Sequence, residues 1–163
     1  MFKQPLFKKE KSDVFTAPVT GQLMPLDALN DGVFSEKMMG EGYAVAPEEQ
    51  AVYAPIAGTI SSVFPTKHAI GITSDAGLEV LVHMGLDTVE MNGTPFETKV
   101  AAGDQVKAGD LLSTVDVAAI QASDRDAAIV VIFTNMDKVK DFSPIKAGPV
   151  THGDAVTTLT YAG

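Results

Sequence analysis

Two histidines, His68 and His83, are the residues in this chain best suited to chemistry. Imidazole changes its charge near neutral pH, so it can act as a nucleophile, a base or a metal ligand. One histidine in a strand is usually structural, with its ring nitrogens hydrogen-bonded. A facing pair is costly to bury, because every ring nitrogen needs a partner and two protonated rings repel each other. A close pair therefore indicates a metal site or histidine chemistry.

The residues between the two histidines predict how they are positioned. Two short β-prone runs, 69–73 and 78–83, are separated by the turn formers Ser74-Asp75-Ala76-Gly77. This pattern predicts a β-hairpin. A turn of two or four residues pairs positions whose numbers sum to 151, which places His68 directly opposite His83. Their Cβ atoms would then lie about 4.5–5.5 Å apart, on one face of the sheet.

Composition limits the classes of function. The chain has 163 residues, of which 45% are hydrophobic and 20% charged, as expected for one soluble domain with a core of its own. A net charge of −9 argues against nucleic-acid binding. The absence of cysteine excludes disulfides, a thiol nucleophile and thiolate ligands. No signal peptide or membrane-length apolar run is visible, so a cytoplasmic location is predicted.

Short β-like segments with frequent glycine and proline dominate from Val14 onward, and one of them is repeated. Ala17–Leu23 (A-P-V-T-G-Q-L) recurs 37 residues later as Ala54–Ile60 (A-P-I-A-G-T-I). We therefore predict an all-β fold, an antiparallel sandwich or barrel with internal duplication and only short helical turns. Similar turn requirements would explain the repeat equally well. Residues 1–12 are predicted to be a mobile, lysine-rich tail, and residues 13–163 a single domain.

Several elements can be predicted one by one. Residues 31–42 are expected to be mostly loop, and residues 116–122 a helical turn capped by Asp116. The strands are expected at 43–47 and 51–54, as a pair around a polar turn, and at 127–133 and 155–161.

Three kinds of chemistry fit parts of this sequence. A zinc site could use His68, His83 and a carboxylate such as Asp87. The H-x-H pattern of zinc peptidases on a related β fold is missing, because Gly85 stands where the second histidine would be.

A carrier domain is the second kind. Val100–Leu112 resembles the biotinyl/lipoyl carrier pattern, but neither Lys67 nor Lys99 has the tight hairpin setting of the modified lysine. A pair of Gly-Asp turns is the simpler explanation.

Phosphoryl transfer by histidine fits best. A neutral imidazole can attack a phosphoryl group with one nitrogen while its other nitrogen donates to a fixed acceptor. The transition state needs donors around its equatorial oxygens. A second imidazole can supply one, and the hydroxyl of Thr66 could select the tautomer of that ring.

Five stretches together resemble the glucose-type enzyme IIA of the bacterial sugar phosphotransferase system. The resemblance covers residues 14–161, and the spacing of 15 residues between the histidines (83 minus 68) agrees with it. The stretches are T-K-H-A-I-G-I (66–72), L-V-H-M-G-L-D-T-V-E (81–90), A-P-I-A-G-T-I (54–60), N-D-G-V-F-S-E-K-M-M-G-E-G (30–42) and F-T-N-M-D (133–137).

The resemblance implies a compact antiparallel β-sandwich and a cytoplasmic phosphoryl relay. HPr, charged from phosphoenolpyruvate through Enzyme I, would donate the phosphoryl group, and the IIB cysteine of an IIB/IIC sugar permease would accept it. His83 resembles the phosphorylated histidine, which reacts through Nε2. His68 resembles the partner that stabilises the phosphoryl oxygens, and Thr66 the hydroxyl that holds this partner.

The resemblance also implies a docking surface for these partners. Asp31 and Asp87 resemble acidic residues beside the pocket that would meet an arginine of HPr. Phe34 and Phe64 resemble part of its apolar rim, and Met84 stands where many relatives have phenylalanine. The relay needs no cofactor. The alternative function is a non-catalytic regulator that binds target proteins through the same rim, with zinc bridging at His68 and His83. The third histidine, His152, is expected to be a surface residue.

Overall fold

A computed structural model describes residues 11–29 and 31–163. Fourteen strands account for most of the regular structure in these residues. They are β1 (Ser12–Thr16), β2 (Gly21–Pro25), β3 (Glu41–Pro47), β4 (Ala51–Tyr53), β5 (Gly58–Val63), β6 (Ala69–Ser74), β7 (Glu79–Met84), β8 (Phe96–Thr98), β9 (Gln105–Val106), β10 (Leu111–Val115), β11 (Ile129–Phe133), β12 (Val139–Phe142), β13 (Gly148–Val150) and β14 (Ala155–Tyr161). Helical structure in the described residues is limited to α1 (Val117–Ala122) and the 3-10 turns Leu26–Ala28, Thr88–Met91 and Met136–Lys138.

The strands form three sheets whose described pairings are all antiparallel. One has eight strands in the order β13-β2-β3-β11-β7-β6-β5-β9, and two have three strands each, β1-β14-β12 and β4-β10-β8. The two small sheets share one apolar core with the large sheet: Phe15 of β1, Leu112 of β10 and Val82 of β7 belong to the same buried cluster. The predicted all-β sandwich of short strands is therefore confirmed.

The large sheet also carries apolar side chains on its outer face. Side chains alternate between the two faces along a strand. On β7, Val80, Val82 and Met84 belong to the shared core, whereas Leu81 belongs to a second buried cluster on the other face. The loop between β2 and β3 contributes Leu26, Leu29 and Phe34 to this second cluster, so it covers the outer face. His83 follows the alternation of Leu81 and lies on the same outer face.

The sequence repeat corresponds to two equivalent parts of the fold. The backbone N–H of Thr16 donates to the carbonyl of Pro55 (3.0 Å), and the N–H of Tyr53 donates to that of Pro18 (2.7 Å). The two bonds are equivalent under the 37-residue repeat, because Thr16 corresponds to Tyr53 (16 + 37 = 53) and Pro18 corresponds to Pro55 (18 + 37 = 55). The predicted internal duplication is thus a structural one. The order of the large sheet agrees, because β13, β2, β3 and β11 mirror β9, β5, β6 and β7.

Both copies of the repeat need glycine at the first residue of a strand. A Cβ at Gly21 would lie 1.9 Å from the carbonyl oxygen of Ala46, and one at Gly58 2.2 Å from that of Thr73. The neighbouring strand leaves no room for a side chain at either position.

Most of the predicted elements are present at nearly the predicted bounds. β11 is fully buried, β14 spans 155–161, and the Asp116 side chain caps α1 by accepting from the N–H of Ala119 (3.0 Å). One prediction is wrong: β3 and β4 do not pair, because β4 pairs with β10 in another sheet. The polar turn at 48–50 carries the chain from one layer to the other.

The predicted tail, residues 1–12, lies outside the described residues except at its end. Lys11 accepts a backbone hydrogen bond from Tyr161 (2.9 Å), and Ser12 begins β1. Residues 11 and 12, which were assigned to the tail, therefore make contacts within the described fold. Within the described ranges, no helix is long and apolar enough to cross a membrane.

Candidate functional site

The predicted hairpin exists as β6 and β7, but its register differs by one residue from the prediction. Its loop has three residues, Asp75–Gly77, so that paired numbers sum to 152 and His83 pairs with Ala69. Gly77 adopts the left-handed conformation (φ +89°) that such a loop needs at its last position. The Ser74 hydroxyl accepts from the N–H of Leu78 (3.0 Å) and supports the turn. His68 and His83 are therefore not a directly paired couple.

A bend before β6 nevertheless brings the two imidazoles together. His68 precedes the first residue of β6, and Lys67 beside it has φ +61°. Outside the strand, strict alternation of side chains no longer applies. The two rings consequently meet edge to face, with centroids 5.0 Å apart and planes at 74°.

The protonation state of His83 follows from one hydrogen bond. Its Nδ1 lies 2.7 Å from the carbonyl oxygen of Gly85. A carbonyl can only accept, so Nδ1 must carry the proton, and Nε2 of the neutral ring keeps its lone pair. Gly85 has φ +82°, and the chain turns there so that its carbonyl points back at the ring two residues earlier. His83 is thus oriented as a nucleophile at Nε2.

His68 is held by Thr66. The hydroxyl of Thr66 lies 2.6 Å from Nδ1 of His68. When this hydroxyl donates to Nδ1, Nε2 carries the proton and is a hydrogen-bond donor. The His68 side chain is buried, with 6% of the residue exposed. The predicted contact of Thr66 with His68 is therefore present.

Burial keeps both rings neutral. Desolvation, followed by the nearby charge of His68, lowers the pKa of His83 to about 4, although Gly85, Asp87 and Asp31 act in the opposite direction. Desolvation also lowers the pKa of His68. Near neutral pH the lone pair on Nε2 of His83 is therefore available without prior loss of a proton.

A pocket of about 220 Å³ opens beside His83. Phe34 packs edge-on against the His83 ring (centroids 4.9 Å apart) and is itself buried, so it borders the site from below. Asp31 lines the same pocket, and its carboxylate accepts from the N–H groups of Phe34 (2.9 Å) and Ser35 (3.0 Å). Burial acts to raise the pKa of Asp31, but the hydrogen bonds from Ser35 and Phe34 bring it below its ordinary value.

Asp87 is the second acidic residue of the pocket. It is exposed, lies in the left-handed conformation (φ +59°) and precedes the 3-10 turn Thr88–Met91 without capping it through its side chain. The Asp87 side chain therefore does not cap this 3-10 turn. Asp87 lines the pocket, and its charge acts to raise the pKa of His83.

The two remaining rim predictions have opposite outcomes. Phe64 is 37% exposed and packs edge-on against His68 (centroids 5.4 Å apart), so it borders the site. Met84 is fully buried in the shared core, so the prediction that it belongs to the rim is wrong. The reason is the alternation along β7, which puts Met84 on the inner face because His83 is on the outer one.

Sequence reasoning missed most of the apolar lining of the pocket. Val33, Met39, Leu86 and Val89 line it, and Val33, Met39 and Val89 are each at least 40% exposed. Exposed side chains of this size beside a pocket indicate a docking surface. Val33 and Met39 lie in the stretch 30–42 that carried the family resemblance, which was the one signal that could have pointed to them.

A three-ligand zinc site is not assembled here. Throughout residues 11–29 and 31–163, no group of three or more His, Asp or Glu is placed to hold a metal ion. The set of His68, His83 and Asp87 is thus not brought together. The Nε2 atoms of both histidines remain free to act as ligands, because both Nδ1 atoms are engaged.

His152 is only partly a surface residue, and it is remote from the pair. Its Nδ1 lies 2.9 Å from a Glu49 carboxylate oxygen, and its ring stacks on Tyr53 (centroids 4.2 Å apart). It follows β13, which β2, β3 and β11 separate from β7 in the large sheet. His152 therefore anchors a turn and takes no part in the pocket.

Comparisons with known proteins identify the family of this chain. Residues 13–139 match the model of the family described as "phosphoenolpyruvate-dependent sugar phosphotransferase system, EIIA 1". The chain belongs to this family. The glucose-type enzyme IIA predicted from the sequence motifs is therefore confirmed.

Individual relatives show the same relationship. The chain is 41% identical over 158 residues to the PTS system glucose-specific EIIA component of Staphylococcus aureus, covering 94% of this chain and 95% of that protein. It is 48% identical over 153 residues to the PTS system glucose-specific EIICBA component of Streptococcus pneumoniae, covering 94% of this chain but 21% of that longer protein. It also covers 26% of the beta-glucoside-specific EIIBCA component of Bacillus subtilis. The chain therefore spans about a fifth to a quarter of its multidomain relatives.

The fold has a counterpart among solved structures. The glucose permease IIA from Mycoplasma capricolum superimposes with a TM-score of 0.84 at 36% identity, covering 94% of this chain and 99% of that one.

Proposed function

We propose that this protein is a phosphoryl carrier that accepts a phosphoryl group from phospho-HPr on His83 and passes it to the IIB cysteine of a sugar permease. The observation that carries the proposal is the hydrogen bond from Nδ1 of His83 to the carbonyl of Gly85 (2.7 Å), because it leaves Nε2 as the only nucleophilic nitrogen. The names of the relatives support a role in sugar uptake, and we place the relay in the cytoplasm.

The step at His83 needs no cofactor. The lone pair on Nε2 forms a bond to phosphorus while the bond from phosphorus to the donor atom on HPr breaks. The proton on Nδ1 stays in place, and the positive charge that develops on the ring is stabilised by the Gly85 carbonyl dipole. Transfer to IIB reverses the roles: the cysteine sulfur attacks phosphorus, and Nε2 recovers its lone pair.

His68 has a different task. Its ring meets the reacting ring edge to face, and the Thr66 hydroxyl lies 2.6 Å from its Nδ1. In the tautomer that carries the proton on Nε2, it donates to an equatorial phosphoryl oxygen and offsets the charge there. His68 is thus assigned to stabilise the transferring group, not to carry it.

The surroundings of His83 suit contact with two successive partners. Exposed apolar side chains, among them Val33, Met39 and Val89, surround the pocket, and Asp31 and Asp87 add negative charge. Apolar contact excludes water from the reacting atoms, and the carboxylates attract a basic surface such as an arginine of HPr.

The test is the intact mass of the protein after incubation with phosphoenolpyruvate, Enzyme I and HPr. We expect one acid-labile phosphoryl adduct on the wild type and none on His83→Gln. His152→Gln is the matched control and should be phosphorylated like the wild type, because His152 lies outside the pocket. Phosphorylation of His83→Gln, or an unmodified wild type beside an active reference IIA protein, would refute the proposal.

A regulatory protein with a shared zinc ion is the second candidate. The free Nε2 atoms of His68 and His83 supply two nitrogen ligands, and a tetrahedral zinc ion would take its other ligands from a target protein. Zinc titration by calorimetry in the presence of the target protein, with His68→Gln as the control, would test this second candidate. This candidate gains support only if zinc strengthens partner binding and the wild type takes up no phosphoryl group.

A further inference from the structure

The segment that follows β7, residues 85–91, holds two groups that act on His83. It supplies the Gly85 carbonyl that accepts from the ring, and it supplies Asp87, which lines the pocket and whose charge acts to raise the pKa of His83. Asp87 has φ +59°, a conformation that costs a residue other than glycine about 1–3 kcal/mol. Such a conformation persists only where neighbouring contacts impose it.

Arg125 supplies two of those contacts. Its Nε donates to the backbone carbonyl of Asp87 (3.1 Å), and its Nη2 donates to the carboxylate of Glu90 (2.6 Å). One guanidinium group therefore holds the segment at two points, three residues apart. A quarter of the Arg125 side chain remains exposed, so most of its surface is covered by neighbouring atoms.

The start of the same segment is fixed by backbone bonds that do not need Arg125. The N–H of Gly85 donates to the carbonyl of Ala128 (2.8 Å), and the N–H of Leu86 donates to that of Asp126 (2.8 Å). Gly85 is thus held by backbone bonds, whereas the carbonyl of Asp87 accepts from Arg125 as well as from the N–H of Glu90 (3.3 Å). Loss of Arg125 should disturb the carboxylate and leave the acceptor for His83 in place.

The sequence contains one arginine, Arg125, among 12 basic residues. Arginine presents several donors in a planar fork, so it can reach a carbonyl and a carboxylate at once. Lysine concentrates its donors on one nitrogen and cannot hold the same two acceptors in the same geometry. The single arginine is used at the segment that carries Asp87, one of the two pocket carboxylates.

We propose that Arg125 is a positioning residue for docking of the phosphoryl donor, because it holds Asp87 where a basic group of the donor meets it. The inference rests on the proposed function. It goes beyond that function in assigning a task to a residue outside the pocket. Arg125 does not touch the reacting atoms, so its removal should affect encounter with the donor and not the chemical step.

Steady-state phosphorylation by phospho-HPr tests this assignment. In Arg125→Ala we expect KM for phospho-HPr to rise about tenfold, the size of one lost charge-assisted contact, with kcat within about twofold of the wild type. Arg125→Lys should recover less than half of the loss, because it keeps the charge without the fork. The matched control is Lys99→Ala, which removes a surface ion pair to Glu97 (3.1 Å) and should leave both constants unchanged.

A double-mutant cycle separates positioning from a general effect on stability. If Arg125 acts through Asp87, then Asp87→Asn and the double variant Asp87→Asn/Arg125→Ala should have the same KM, because the second change has nothing left to displace. If the effects of the two substitutions on KM multiply in the double variant, or if Arg125→Ala lowers only kcat, the proposal is overturned. A wild type without phosphorylation would instead refute the proposed function. Thermal unfolding of each variant identifies any that is not folded, and Arg125→Lys then carries the test.

Discussion

The two halves of the large sheet have the same backbone arrangement and different chemistry. His83 on β7 pairs with Ala69, and Ile132 on β11 pairs with Gly42 at the equivalent place. The residue two positions later is also equivalent, since Gly85 donates to the carbonyl of Ala128 and Thr134 to that of Glu79, at 2.8 and 2.9 Å. Ile132 is completely buried in the outer apolar cluster, whereas His83 borders a pocket.

The difference shows that the duplicated framework positions a side chain without making it reactive. Three asymmetric features create the site. Gly85 turns a carbonyl toward His83, the bend at 66–68 brings His68 to the ring, and the loop between β2 and β3 folds across the outer face to place Phe34 beside it. Each feature lies in a loop, where substitutions do not disturb the sheet.

The largest effect should come from substitution of His68. The equivalent residue in the other half of the sheet is Glu41, at the start of β3. We expect His68→Gln to accept the phosphoryl group but to transfer it to IIB about 100-fold or more slowly, because the glutamine amide can still donate to a phosphoryl oxygen but cannot take on positive charge as imidazole does. Glu41→Gln should leave both steps unchanged, since it removes only a surface pair with Lys37. Rapid-quench measurement of labelled phosphoryl transfer separates the steps, and equal loss in both variants would contradict the comparison.

The next effect concerns the turn after the reactive strand. In Gly85→Ala, a Cβ would lie 2.5 Å from Cγ2 of Thr88 and 3.2 Å from the carbonyl oxygen of Asp126, at a φ of +82°. We expect a loss of about 1–3 kcal/mol in the free energy of unfolding. Displacement of the carbonyl should slow phosphorylation of His83 about 10–100-fold.

The control for this turn is Thr134→Ala at the equivalent exposed position. It should change the free energy of unfolding by about 0.5 kcal/mol or less and leave phosphorylation intact. Denaturant unfolding together with the phosphorylation rate measures both effects. A Gly85→Ala variant as active as Thr134→Ala would mean that the Gly85 carbonyl does not orient the ring.

The third effect is the pH dependence of stability that His83 contributes. The pKa of His83 is about 4 in the folded protein and about 6.5 in the unfolded chain, so the unfolded state binds more protons between these values. The free energy of unfolding should therefore fall as the pH is lowered from 6.5 to 4.

His83→Ile, which copies Ile132, should reduce this dependence. A residual slope remains from His68, whose pKa is also lowered by burial. Urea unfolding at a series of pH values, with an NMR titration of the ring, checks the expectation. An unchanged slope in His83→Ile would assign the pH dependence to other groups.

The elements with strong local signals could be predicted from the sequence, as could the meeting of the two histidines. An unbroken apolar run predicts β11, and Asp116 predicts the cap of α1. The register of the hairpin could not be predicted, because Ser74 to Gly77 permit loops of several lengths. The histidines meet in spite of the one-residue error because His68 lies in a bend, whose geometry depends on contacts distant in the chain.

Placement of the docking surface was harder to predict. Met84 was assigned from the family pattern, whereas strict alternation from His83 along β7 would have placed it in the core. The covering loop between β2 and β3 has no periodicity that indicates its path. Its position depends on burial of Leu26, Leu29 and Phe34 against an outer face that cannot be recognised before the sheet is assembled.

The pairing of β1 with β14 has a consequence for synthesis of the protein. Ser12 pairs with Thr160, near the opposite end of the chain. While the ribosome is still translating the last strand, β1 has no partner and one layer of the sandwich is incomplete. The hairpin of β6 and β7 joins neighbouring segments and can form much earlier. Completion of the fold, and with it shielding of the shared core from water, must therefore wait until β14 has emerged from the exit tunnel.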